Sequence, residues 1–232
     1  MGLSALNKNE NSMKKSILTI ILVLAALTAT AQKRLIKITD ESEAWRKTNR
    51  QAAFYDSEKA RLLMSTGAVF GVECIPSFNQ EWTLAYDSIS HTLVYKEAET
   101  SIWHNTYQAM HKKKKAGEKR YKWVSRKRPK DYEAPDVKTF AMAVTNDQTA
   151  MLRAIWTSAI STAEDREDGM LDGVRWTYFI NDQRAKSLSI DKHPLVDFTN
   201  ALVNAVRNGD AIQADSLIGT EFQRVVAGLR TK

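Results

Sequence analysis

The sequence predicts an α+β fold, a single mostly antiparallel sheet with amphipathic helices packed on it. Three observations predict it. Between residues 174 and 180, Val174, Trp176, Tyr178 and Ile180 alternate onto one face with Arg175 and Thr177 on the other, the period-two pattern of a half-buried strand. Helical stripes lie on either side of this segment. The strand and helix patterns do not alternate regularly along the chain, which argues against a parallel doubly wound sheet.

Residues 1–31 are read as an N-terminal extension and signal peptide, and 32–232 as one α+β domain. Lys14 and Lys15 precede an apolar run over 16–27, and Ala29-Thr30-Ala31 fits small-x-small cleavage before Gln32. The run falls short of the about 20 residues a membrane span needs, so no transmembrane span is expected in the mature chain. Met13 stands directly before the basic residues and is a better start than Met1. No Cys follows the apolar run, so lipid anchoring at the cleavage site is excluded. Export to the periplasm or the extracellular space follows, as a non-lipoprotein. Cys74 is the one cysteine of the 232 residues; no internal disulfide can form, and a buried thiol in an apolar run is expected.

In chain order, residues 32–38 form a short strand. Acidic residues from Asp40 open helical structure between about 41 and 64, ended before Gly67. The apolar run 68–75 is a buried strand bounded by Pro76. Trp82, Leu84 and Tyr86 alternate, 87–91 turns, and 92–96 returns as a hairpin. Residues 100–108, with Ile102, Trp103 and Tyr107, are read as a further strand. Residues 137–144 fit either period, but Thr145-x-x-Gln148 is a capping box that starts a helix there, so the preceding segment is a strand. The helix 146–161 carries Leu152, Ile155, Trp156, Ala159 and Ile160 on one side. After the strand 174–180, Asn181 to Arg184 reverse the chain and 185–190 returns. Pro194 opens a helix with Leu195, Phe198, Leu202, Ala205 and Val206 as its stripe, closed by Gly209. A second helical piece, 210–218, stops at Gly219. Thr220-x-x-Gln223 then caps a last helix carrying Phe222, Val225, Val226 and Leu229.

Charge is unevenly placed. The whole chain is +7, residues 32–232 are +5, and residues 112–130 alone are +10, leaving the remainder acidic. That segment is read as a solvated basic loop or hairpin tip, because like charges repel. Its aromatic residues also allow it to bind a polyanion through Lys112, Lys113, Lys114, Lys115, Lys119, Arg120, Tyr121, Trp123, Arg126 and Arg128. Nucleic acid is not the expected polyanion, since export removes the chain from it.

No sequence pattern carries a recognisable reaction. G-x-S-x-G, S-x-x-K, P-loop, G-x-G-x-x-G and H-E-x-x-H motifs are absent. His104, His111, Glu97 and Glu99 lack a metal-ligand spacing, and Arg166 occupies a ligand position in the calcium-like run 165–169, so neither metal nor cofactor is expected. Carboxylates such as Glu97, Glu99 and Asp172 could be gathered by the fold for glycoside hydrolysis.

Pro76-Ser77-Phe78, Ile102-Trp103, Leu171-Asp172-Gly173 and Trp176-Thr177-Tyr178-Phe179, behind the Ala-Thr-Ala/Gln cleavage site, resemble a group of secreted proteins of Bacteroidota. The resemblance implies export from a Gram-negative cell and implies no activity. The expectation is therefore a non-enzymatic binding or interaction module of the cell envelope, its partner an unidentified protein or envelope component. The alternatives are a hydrolase of an envelope or extracellular polymer, and a polyanion binder acting through 112–130.

Overall fold

Among the described residues, seven strands form one antiparallel sheet in the order β1-β7-β6-β2-β3-β4-β5. The structure, a computed structural model, describes residues 34–39, 43–77, 79–110, 132–165, 173–189 and 192–230. The predicted signal peptide and extension, the basic segment 112–130, His111 and Asp172 lie outside the described residues.

The strands are β1 (Ile36–Lys37), β2 (Ala68–Pro76), β3 (Trp82–Asp87), β4 (Thr92–Ala98), β5 (Val137–Ala143), β6 (Val174–Ile180) and β7 (Gln183–Leu188). The helices are α1 (Ala44–Thr48), α2 (Arg50–Leu63), α3 (Ile102–Met110), α4 (Asn146–Ser161), α5 (Leu195–Asn208) and α6 (Ala211–Arg230). The fold is α+β, with helices on both faces of the sheet.

The first face is the main core. Phe70, Val72 and Cys74 of β2, Leu84 and Tyr86 of β3, Leu93 and Tyr95 of β4, and Trp176, Tyr178 and Ile180 of β6 pack against α4, α5 and α6. Trp156 sits at its centre, its ring against Phe70, Tyr178 and Phe198, and its Nε1–H donates to the Gly71 carbonyl at 2.7 Å. The capping box forms as predicted: the Gln148 amide N–H donates to Thr145 Oγ1, and the Thr145 N–H to Gln148 Oε1. Gly209, at φ 67°, ends α5 in the left-handed conformation that glycine adopts at no steric cost.

Three elements differ from expectation. Residues 102–110 form a helix, not a strand. Ile102, Thr106 and Met110 recur every four residues on its buried side, and the start is capped from afar, as described below. The strand reading followed the aromatics, which face outward. The β6–β7 turn is two residues, Asn181 and Asp182, so β7 begins at Gln183 rather than 185; Asn181 adopts φ 49°, which a tight hairpin demands and asparagine tolerates. Helix α6 runs through Gly219 without a break, and Thr220 caps nothing. Ala214, Ile218, Phe222 and Val225 form a continuous stripe against the core, and this burial outweighs the about 1 kcal/mol that an interior glycine costs.

Candidate functional site

The second face of the sheet is built differently. Its central row runs across four strands: Thr83 aligns with Glu73, Glu73 with Thr177, and Thr177 with Lys186. All four side chains are buried. Helix α2 crosses above them because Asn49 breaks the chain after α1 and its Oδ1 accepts the N–H groups of Gln51 and Ala52. The helix then lays Gln51, Tyr55, Lys59 and Leu63 toward the sheet.

Lys59 Nζ donates to Glu73 Oε2 at 2.5 Å, and Arg184 lies 3.8 Å from the other carboxylate oxygen. Glu73 is 4 % exposed and Lys59 7 %. Burial alone would raise the Glu73 carboxyl, but Lys59, Arg184 and Arg175 hold it below the ordinary carboxylate range, so it is ionised and fixed. Beside it, Glu43 bridges Arg46 at 3.2 Å and Arg175 at 3.5 Å, and Arg46 also holds Asp56 through two bonds. This network ties the α1–α2 layer to β2, β6 and β7. Each acid of this network has a cation beside it: Lys59 at Glu73, Arg46 and Arg175 at Glu43, and Arg46 at Asp56.

Glu81 is fully buried just before β3 and supplies the cap of α3. Its Oε2 accepts the Ile102 N–H at 2.8 Å, and its Oε1 accepts the Trp103 N–H at 2.9 Å. A carboxylate at a helix N-terminus meets both unpaired donors and the positive end of the dipole. With its start so held and Ile102, Thr106 and Met110 buried beneath, α3 presents two aromatics outward, one turn apart. Trp103 is 37 % exposed and Tyr107 44 %. The Trp103 ring is propped edge-on by Tyr55, centroids 5.2 Å apart. Two residues beyond Met110 the sequence enters Lys112, Lys113, Lys114 and Lys115.

The remaining sequence candidates are dispersed. Glu97 lies 3.8 Å from Arg207, and Glu99 3.4 Å from Lys138. The exposed ring of His104 contacts Gln108 of its own helix. No group of three His, Cys, Asp or Glu side chains that could hold a metal occurs among the described residues. Cys74 is buried on the first face, where burial and then Glu81 push its thiol well above its ordinary value, so it is not a nucleophile at neutral pH. His193 accepts the Leu195 N–H on Nδ1 at 3.1 Å, and burial, with Arg224, lowers it to about 4; it is a neutral structural acceptor. The ten basic and aromatic residues named for polyanion contact, Lys112 to Arg128, lie outside the described residues.

Glu73 was the one charge within the apolar run 68–75, and that is a signal of a buried, paired ion. Lys59 and Glu81 carried no local signal, because their partners are distant in sequence. Among the described residues no helix is long and apolar enough to cross a membrane. Compared with known proteins, the chain matches no family model, no curated protein and no solved structure.

Proposed function

We propose that the protein is an exported, non-enzymatic binding module of the cell envelope, which meets a protein or envelope component through the outer face of α3. One observation carries the reading: Trp103 and Tyr107 stand exposed one turn apart on a helix whose opposite side is wholly anchored. Aromatic side chains offer large, rigid contact area at little entropic cost and are enriched where proteins meet partners. The apolar run 16–27 and the Ala29-Thr30-Ala31 cleavage pattern support a module outside the cytosol, in the periplasm or beyond it.

The test uses two probes, isolated peptidoglycan sacculi and lipopolysaccharide-containing outer-membrane vesicles. The purified exported chain is expected to co-sediment with one of them. The Trp103→Ala/Tyr107→Ala variant is expected to bind at least tenfold more weakly, since two central aromatics each contribute more than about 1 kcal/mol at a contact surface. Equal retention of variant and parent would refute the assignment to α3. Release of soluble fragments from sacculi would show a hydrolase instead.

A further inference from the structure

The two edges of the sheet are unequal. On one side β1 is only two residues long, the short edge strand by which native sheets avoid pairing with other chains. On the other side β5 is seven residues, Val137–Ala143, paired to β4 without a break in register from Thr92↔Ala143 to Ala98↔Val137. It contains no proline and no bulge, and Lys138 is its one charge. Among the described residues no strand lies beyond it, and Lys138, Thr139, Ala141 and Ala143 are exposed. Among the described residues, that one lysine is the only device that blunts this edge.

We propose that β5 is a self-association edge, pairing antiparallel with β5 of a second copy about a two-fold axis at Phe140. The occupant is a second copy because the strand is complementary to itself in this register. Val137 falls opposite Ala143, Lys138 opposite Met142, Thr139 opposite Ala141, and Phe140 opposite Phe140. No like charges meet, small residues meet small residues on the second face, and an aromatic pair forms on the first, where Phe140 is already half-buried beside Tyr95. A register shifted by four residues, which sets Lys138 against Lys138, loses this match and adds repulsion. The two-fold relation makes the contact closed, giving dimers rather than fibres. The paired edge is about 24 Å long and buries less than the about 800 Å² per partner of a standard interface, so the dimer is weak, with a Kd of roughly 10–100 μM. The proposal does not rest on the α3 surface.

Sedimentation velocity of the purified exported chain, over a concentration series to about 500 μM, tests it against that affinity range. The mass is expected to rise from one chain to two. The variant T139K/A141K sets like charges opposite each other twice in the dimer and is expected to stay monomeric. The variant T139K/A141E sets opposite charges there and is expected to dimerise at least as strongly as the parent. Both positions are exposed, so both variants keep the fold, checked by their circular dichroism. A monomeric parent at the highest concentration overturns the proposal, and so does a T139K/A141K variant that dimerises like the parent. Loss of dimer in both variants overturns the register. Hydrogen exchange of the parent gives an independent readout: the alternate amides of Val137–Ala143 that point away from β4 gain protection with concentration, and exchange independent of concentration overturns the pairing.

Discussion

Breaking the Lys59–Glu73 pair from one side should damage the protein far more than removing both charges. At an ordinary ion-pair separation of about 2.8 Å and an effective dielectric of about 20, Coulomb attraction is about 6 kcal/mol. Desolvating two buried ions costs several kcal/mol each, so the net contribution of the pair is small. The single variant Lys59→Met leaves the Glu73 carboxylate buried beneath α2, with Arg184 at 3.8 Å as its remaining close cation. Loss of one partner of a buried pair costs about 3–5 kcal/mol, and Arg184 recovers part of this, so about 3 kcal/mol is expected. The Glu73→Leu single variant strands Lys59 in the same way. The double variant Lys59→Met/Glu73→Leu should lie within about 1 kcal/mol of the parent, or above it. Urea unfolding of the four proteins, read by tryptophan fluorescence and compared at equal m-value, measures the coupling directly. Single variants within about 1 kcal/mol of the parent, or a double variant as damaged as the sum of the singles, would refute the view of this pair as a structural brace.

Two further outcomes follow from the first face and its border. Trp156→Ala should cost about 3–5 kcal/mol, because it empties the centre of the core and removes the Nε1–H bond to the Gly71 carbonyl, whereas Trp176→Phe should cost less than about 1.5 kcal/mol. The difference arises because the Trp176 Nε1–H is buried with no acceptor among the described residues, so its removal relieves a penalty; equal losses in chemical denaturation would contradict this. His193 is lowered in the folded chain to about 4 from an ordinary 6.5, so its contribution is complete above about pH 6.5 and is lost as pH falls toward 4. The full span corresponds to about 3 kcal/mol, and a His193→Asn variant, which keeps an acceptor for the Leu195 N–H, should show a flatter stability profile between pH 6.5 and 5. Parallel profiles in parent and variant would disprove the attribution.

Local signals in the sequence were sufficient wherever the structure is set by local chemistry. The alternation of Trp176, Tyr178 and Ile180 places those residues in the core, the Thr145–Gln148 box starts α4, and Gly209 closes α5. Reading failed where a distant group decides. Helix α3 begins at Ile102 because the carboxylate of Glu81, 21 positions earlier, waits there, and no local pattern records that. At Gly219 a local propensity was overruled by the stripe that α6 lays against the core. The candidate surface was half visible for the same reason. The pattern of Ile102, Trp103 and Tyr107 suits a strand over 100–108, whereas the helix buries Ile102 and turns Trp103 and Tyr107 outward.

The two faces of the sheet also differ in what holds them. The first is covered by α4, α5 and α6, helices of 16, 14 and 20 residues, through an aromatic and aliphatic core. The second is covered by helices of 5, 14 and 9 residues, with a far smaller apolar cluster and a network of ions. There the Tyr55 hydroxyl and the Gln51 amide nitrogen are buried without hydrogen-bond partners among the described residues, each at a cost of about 1–3 kcal/mol. Burial of apolar area is the dominant favourable term in folding, while buried ion pairs contribute little net stability. The α1–α3 layer should therefore open before the α4–α6 layer under native conditions. Binding surfaces are commonly drawn from such low-stability units, where adjustment to a partner costs least. The exposed pair Trp103 and Tyr107 stands on that layer, so the contact proposed for α3 would be made by the less stable of the two layers.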